Sequence, residues 1–208
     1  GMRTALGGDP VVVQRHVERI TEAWSAIEGG RVDHHRTYRR DEWDQIEHFV
    51  DKVQAGIPSL DMLDSLPPNF GHVGFSPAVP LEGSQIRLVL DTLLDIVGRE
   101  TGASFLAGIC VTNERSALIV GGFGFDTTDD EATRVAYTTV KTMIREVGAL
   151  GYGEYRAHID FMEEASNEYS FGDHAYKRFV EKIKDAVDPK GILAPGRHGI
   201  WPSNRRDG

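Results

Sequence analysis

Apolar residues recur at helical spacing in five stretches of the chain, and stretches of strand-like alternation lie between them. The first helix is predicted from Asp9, an N-cap with Pro10 behind it, with Val13, Val17, Ile20, Trp24 and Ile27 forming one buried face. Glu28-Gly29-Gly30 ends it. The segments Arg3 to Leu6 and Arg31 to Tyr38 lean towards strand. A second helix is predicted over Asp41 to Gln54, with Trp43, Ile46 and Val50 on one side. Pro58, Pro67 and Pro68 then make Gly56 to Asn69 a loop.

The middle of the chain is more regular. Gly71 to Ser76 alternates as a strand, Ser84 to Val97 carries Ile86, Val89, Leu90, Leu93 and Val97 at helical spacing, and Gly102 closes that helix. Ser104 to Thr112 and Ala117 to Phe125 read as a hairpin about Asn113-Glu114-Arg115-Ser116. Thr127 to Glu131 offers caps to a long helix running towards Gly148 and Gly151, and Tyr152 to Ile159 is read as the last strand. The order β-α-β-β-α-β predicts an α+β fold: a ferredoxin-like antiparallel sheet with helices packed on one face. A C-terminal helix over Asp173 to Val187 and an irregular tail complete it. In that tail Ile192, Leu193, Ile200 and Trp201 sit among turn-formers, so it is anchored, either on the chain's own body or on another domain.

Composition narrows the function classes. The 208 residues are 40% hydrophobic and 26% charged, an ordinary globular balance, and the net charge of -9 with scattered basic residues argues against binding nucleic acid. The longest apolar stretch breaks well short of the roughly 20 residues a membrane helix needs, so no membrane span is expected. One cysteine, Cys110, excludes an internal disulfide framework. It lies in an apolar run and reads as a packed thiol. Gly1 ahead of Met2 reads as a cloning remnant, and no secretory signal follows. A reduced, cytoplasmic setting is the default expectation.

Several residue groups invite chemistry. Asp33-His34-His35 with Glu47-His48 has the ligand types of a metal site without a spacing that fixes a geometry, and solvated histidines are the expected reading. Gly121-Gly122-Phe123-Gly124-Phe125 departs from a dinucleotide loop, since Thr127 stands where a third glycine is needed and the run belongs to a hairpin strand. In Gly153-Glu154-Tyr155-Arg156-Ala157-His158, a phenol O–H and a guanidinium stand side by side and can together receive one anionic oxygen. On a regular strand Tyr155 and Arg156 face opposite ways, so joint action requires a bend or a strand end. The competing reading is a core tyrosine beside a surface arginine.

With these residues in view, the chain resembles the C-terminal half of the vanillyl-alcohol oxidase and 4-cresol dehydrogenase family of FAD-linked oxidases. The strongest matches are Gly153 to His158 and the tail from Asp188 to Pro202; Gly7 to Pro10, Gln54 to Pro58 and Gly71 to Pro77 are weaker ones. The resemblance implies a cap or substrate-binding domain over residues 2–187. It further implies a segment over 188–208 that packs on an FAD-binding domain absent from this chain. Tyr155 and Arg156 match the catalytic pair that binds a para-substituted phenol as phenolate, and His158 matches a histidine near the flavin. The implied cofactor is FAD, brought by a partner domain or subunit and non-covalent with respect to this chain, because no histidine stands near Ser116 to Leu118. No glycine-rich pyrophosphate loop precedes the matched region, so the chain alone is not expected to oxidise a substrate. The alternative is a non-catalytic ferredoxin-like module that binds a ligand or assembles as a homo-oligomer.

Overall fold

A computed structural model describes Thr4, residues 6–31 and 38–60, Asp64, and residues 66–206. The expected strands over Arg3 to Leu6 and Arg31 to Tyr38 fall largely outside these residues, as does Asp33-His34-His35. The chain forms two units, Gly1–Pro67 and Pro68–Gly208.

In the first unit, helix α1 (Pro10–Ser25) starts where the sequence places it: the Asp9 carboxylate accepts the Val11 N–H at 2.9 Å, with Pro10 in the first turn. Val13, Val17 and Ile20 are its less exposed positions, yet no α1 residue is buried, so the expected buried face is uncovered. The single helix expected over Asp41 to Gln54 is instead two pieces. A 3-10 turn (Arg40–Gln45) ends at Ile46, whose backbone is extended, and α2 (Phe49–Gln54) restarts with His48 accepting the Val50 N–H. Ile46 is buried at this break. A buried side chain and a local cap thus outweigh continuation of a short helix.

The second unit is the α+β body. Its strands are β1 (Phe70–Phe75), β2 (Ala78–Pro80), β3 (Leu106–Val111) and β4 (Ser116–Asp126), all antiparallel to β4, which lies in the centre. β1 and β2 lie on one side of β4 and β3 on the other. Pro77, between β1 and β2, has no N–H to offer β4 and breaks what would be one long strand, although its carbonyl still accepts the Ile119 N–H. Helix α3 (Gly83–Thr101) stops at Gly102, whose φ of 71° is the left-handed cap glycine favours. Helix α4 (Asp130–Ala149) is capped by Asp129, which accepts the Glu131 and Ala132 N–H groups.

Both helices press their apolar stripes onto one face of the sheet. Val89, Leu93, Ile96 and Val97 of α3 and Val140, Met143 and Val147 of α4 bury against Val73, Phe75, Ile119 and Phe123. The opposite face is paved with glycine. A Cβ on Gly122 would lie 2.3 Å from the Val73 carbonyl oxygen and 2.6 Å from the His72 ring, and one on Gly124 would enter the Phe70 ring. Aromatic rings thus lie flat where side chains are missing. Cys110 points to a correction: β3 is an exposed edge strand and the thiol is exposed, not packed.

Tyr152 to Ile159 is not a strand. Only an isolated bridge forms, Pro77 with Glu154, framed by Ala78 N–H to Gly153 O at 3.0 Å and Tyr155 N–H to Ser76 O at 2.9 Å. The chain then bends. His158 caps a 3-10 turn (Ile159–Phe161), its Nδ1 facing the Asp160 N–H at 3.3 Å and its carbonyl accepting the Phe161 N–H. That local cap competes with further pairing and wins. Helices α5 (Met162–Glu168) and α6 (Phe171–Val187) follow. Gly172, Asp173 and His174 have φ values of 57°, 56° and 55°, so regular α6 geometry begins only at Ala175.

Candidate functional site

The bend after the Pro77–Glu154 bridge settles how Tyr155 and Arg156 stand. Neither is in the core: Tyr155 is 59% exposed and Arg156 is exposed as well. Residues 155 and 156 lie at a bend rather than within a strand, so the strict alternation that would oppose them does not hold. Glu154, one residue earlier, is 8% exposed. The segment therefore buries its carboxyl and leaves the phenol and guanidinium out.

What holds the segment is local and specific. The Tyr169 hydroxyl, at the end of α5, donates to the Glu154 carbonyl at 2.8 Å. Its ring covers Gly153 so closely that a Cβ there would lie 2.4 Å from Cζ. Glycine is required at 153 for that approach. Burial pushes the Glu154 carboxyl up to about 7, opposed by the Ser76 backbone N–H. Burial, and the Glu154 charge after it, also raises the Tyr169 phenol. Glu154 and Tyr169 are functional candidates that the sequence does not single out. An acidic residue inside a strand-like run was the available signal for the first; nothing local marks the second.

His158 is half exposed, and its Nδ1 is committed to capping the turn that follows. Its ring lies 5.7 Å from that of buried Phe161. His158 thus borders the bend from the side opposite Glu154 in sequence. Of the three histidines weighed for a metal, His48 caps α2, and His34 and His35 lie outside the described residues. Among the described residues no group of three potential metal ligands gathers.

The tail is tied to α6 by polar bonds. Asp188, buried, accepts from Lys184 at 2.6 Å and from the Ile192 and Leu193 N–H groups, which together hold its carboxyl down to about 2. Arg206 pairs with Asp185 at 2.8 and 2.9 Å. The Gly199 turn sits against Ser166 and Met162 of α5. Ile200 and Trp201 are half-buried in this arrangement, whereas Ile192 and Leu193 are 70% and 63% exposed.

The apolar side of α6 is exposed. Its polar side, Glu181, Lys184 and Asp185, faces the tail, while Tyr176, Phe179, Ile183 and Val187 form an exposed stripe, Phe179 at 62% and Val187 at 68%. Among the described residues no helix is long and apolar enough to cross a membrane.

FAD makes a definite demand: backbone N–H groups free to meet a pyrophosphate, normally at a helix N-terminus after a strand. The glycines at 121, 122 and 124 do not meet it, because they are paired mid-strand with β1 on one side and β3 on the other. That glycine run therefore does not fit an FAD pyrophosphate.

The chain resembles phenol-oxidising flavoproteins, and the part it matches is their C-terminal part. It is 26% identical over 205 residues to the 4-cresol dehydrogenase [hydroxylating] flavoprotein subunit of Pseudomonas putida, covering 96% of this chain and 37% of that protein. The solved 4-ethylphenol oxidase from Gulosibacter chungangensis, in complex with isoeugenol, superposes with a TM-score of 0.77 at 27% identity, over 96% of this chain and 39% of that one. The p-cresol methylhydroxylase structure with substrate bound shares the fold, with a TM-score of 0.77 at 24% identity over 94% of this chain and 37% of that one. A 137-residue match at 28% identity reaches the 1'-carboxy-chondrochloren decarboxylase of Chondromyces crocatus, over 64% of this chain and 24% of that protein. No family model matches. The chain thus spans little more than a third of the length of the first two relatives.

Proposed function

We propose that this chain is the substrate-binding cap of an FAD-dependent oxidoreductase acting on para-substituted phenols or aryl alcohols, working with an FAD-binding domain or subunit. The observation that carries the reading is the exposure of Tyr155 and Arg156 at the bend, next to a buried and firmly held Glu154. A surface-exposed tyrosine–arginine pair on a pinned backbone is arranged for a ligand rather than for the core. The names of the relatives support the ligand class, since 4-cresol, 4-ethylphenol and isoeugenol are phenols.

The chemistry of the pair follows from its donors. A guanidinium is a permanent cation with a planar fork of N–H groups, and a phenol O–H adds a further donor. Each hydrogen bond to a charged oxygen contributes about 1.5–3 kcal/mol, so two bonds shift a bound phenol by about 2–4 units from its ordinary value near 10. The bound phenol then ionises with a midpoint at about pH 6–8. An ionised ring is the better electron donor, and FAD, supplied by the partner, is the group that carries the redox chemistry. His158, which caps the turn after the bend, is by the resemblance the residue that would stand near the partner's flavin.

The exposed α6 stripe supports the missing partner. Tyr176, Phe179, Ile183 and Val187, with Ile192 and Leu193 nearby in sequence, are a larger set of bare apolar side chains than a finished surface carries. We read the FAD-binding part as their cover. The polar anchoring of the tail on α6 favours the second reading, a self-contained ferredoxin-like module that binds a ligand or forms a homo-oligomer.

The test is a titration of the chain with 4-ethylphenol at pH 7.5, following the ultraviolet shift of phenol to phenolate. The expected result is a saturable phenolate signal that Arg156→Ala abolishes and Tyr155→Phe weakens. A phenol that stays protonated, or a signal that survives Arg156→Ala, contradicts the reading.

A further inference from the structure

The bend that presents Tyr155 and Arg156 is fixed by what lies directly beneath it. Glu154 faces inward from the bridge, 8% exposed, and its Oε2 is buried with no hydrogen-bond partner. Hydrogen bonds run from Ala78 to Gly153 and from Tyr155 to Ser76 on either side, and the Glu154 carbonyl is held by Tyr169. A bare carboxylate oxygen in such a place costs more than a hydrogen bond returns, so the neutral acid suits the closed bridge. Once ionised, the group needs water, and an isolated bridge framed by two backbone hydrogen bonds is a short contact to open for it.

We propose that Glu154 is the positioning residue of the tyrosine–arginine pair, its neutral carboxyl keeping the bridge to Ser76–Ala78 closed and thereby holding residues 155 and 156 at the bend. The consequence for ligand binding rests on the phenol reading above; the coupling between the carboxyl and the bridge does not. The groups facing Glu154 are few. From the bridge, Ser76 offers its backbone N–H to the carboxyl, which favours the charged form but is outweighed by burial; Ser76, Pro77 and Ala78 carry no ionisable side chain, and α5 contributes the Tyr169 phenol, which stays protonated well above the range concerned. On its own segment the flanking ionisable residues are Tyr155 and Arg156. The direction of the carboxyl's shift, driven by burial, agrees with this geometry.

The test uses the 208-residue chain with its glutamate carboxyls labelled for NMR, Glu154 being assigned by the signal lost in Glu154→Gln. Amide exchange protection at Tyr155 and Ala78 is followed from pH 5.5 to 8.5 in the same samples. The expected result is a Glu154 midpoint near neutrality and a loss of protection of about tenfold at both amides on crossing it, while Glu154→Gln keeps its low-pH protection throughout. Tyr169→Phe, which removes the hydroxyl and keeps the ring, should lower protection at every pH and keeps the test open if the glutamine variant folds poorly. A midpoint in the ordinary carboxyl range overturns the proposal, as does protection that ignores the titration.

The phenol arm separates this proposal from the reading it extends. The affinity for 4-ethylphenol should be equal in wild type and Glu154→Gln at pH 6 and about tenfold tighter in the variant at pH 8.5. Equal affinities at both pH values, with a titrating Glu154, overturn the positioning role. Absence of phenol binding at every pH removes the cap reading and leaves the bridge coupling to stand or fall on exchange alone.

Discussion

Helices α4 and α6 are alike in sequence pattern and opposite in fate. Both place apolar residues every three or four positions. In α4 those residues, Val140, Met143 and Val147 among them, are fully buried against α3 and the sheet; in α6 Tyr176, Phe179, Ile183 and Val187 look outward while the polar side binds the tail. Periodicity reports which face of a helix is apolar, and says nothing about which body covers it. The bare apolar face of α6, like the exposed strand β3, belongs to a chain whose match takes in little more than a third of its relatives, and the proposed FAD-binding part is what would cover it.

The contrast can be broken by mutation, and the largest effect belongs to the packed side. Leu93→Ala, at a fully buried α3 position, should cost about 4 kcal/mol in urea denaturation through lost transfer energy and the cavity left behind. A loss under about 1 kcal/mol would mean the α3–sheet interface is not the core. Glu154→Gln should act in the opposite direction. A carboxyl whose folded pKa is raised to about 7 binds its proton more tightly folded than unfolded, so stability falls as pH rises from its ordinary value near 4.5 to about 7 and is level above. The variant should match wild type at pH 4 and exceed it at pH 8, by at most about 3 kcal/mol. Greater stability of wild type at pH 8 would contradict a buried acid whose Oε2 has no hydrogen-bond partner.

On the open face of the sheet, Gly122→Ala should cost about 1–3 kcal/mol, because the new methyl meets the Val73 carbonyl, which cannot swing aside. The tail gives a subtler reading. Asp188→Asn should lower exchange protection at Ile192 and Leu193 at pH 7. Wild type should keep that protection until pH falls from the ordinary aspartate range towards about 2, because a depressed folded pKa contributes its stability above that window and loses it below. The smallest effect is expected on α6. Phe179→Ser should change stability by no more than about 0.5 kcal/mol and reduce self-association measured by sedimentation.

The sequence made the body of the fold readable where one local signal sufficed. Asp9, Gly102, Asp129 and the Asn113 to Ser116 turn each specify an end or a reversal through a hydrogen bond or backbone angle of their own, and each does so in the structure. The misreadings arose where two signals compete. Tyr152 to Ile159 alternates like a strand, but the His158 cap turns it after one bridge; Asp41 to Gln54 repeats like a helix, but Ile46 buries and His48 starts anew. Cys110 looks like core by its neighbours and lies on an edge strand. At the candidate site the motif from Gly153 to His158 was visible as a resemblance, whereas the support beneath it came from Tyr169 and Ser76, remote residues that no local spacing connects.

In the proposed function this chain supplies the phenolate-binding pair and leaves the flavin to a partner. The most direct measurement is a paired titration on one sample, FAD first by quenching of flavin fluorescence, then 4-ethylphenol by the phenol-to-phenolate absorbance shift, in wild type and Arg156→Ala. Unquenched FAD throughout and phenolate formed by wild type alone are the expected results. Tight FAD binding by this chain, with the phenol un-ionised in both proteins, would contradict the proposed function.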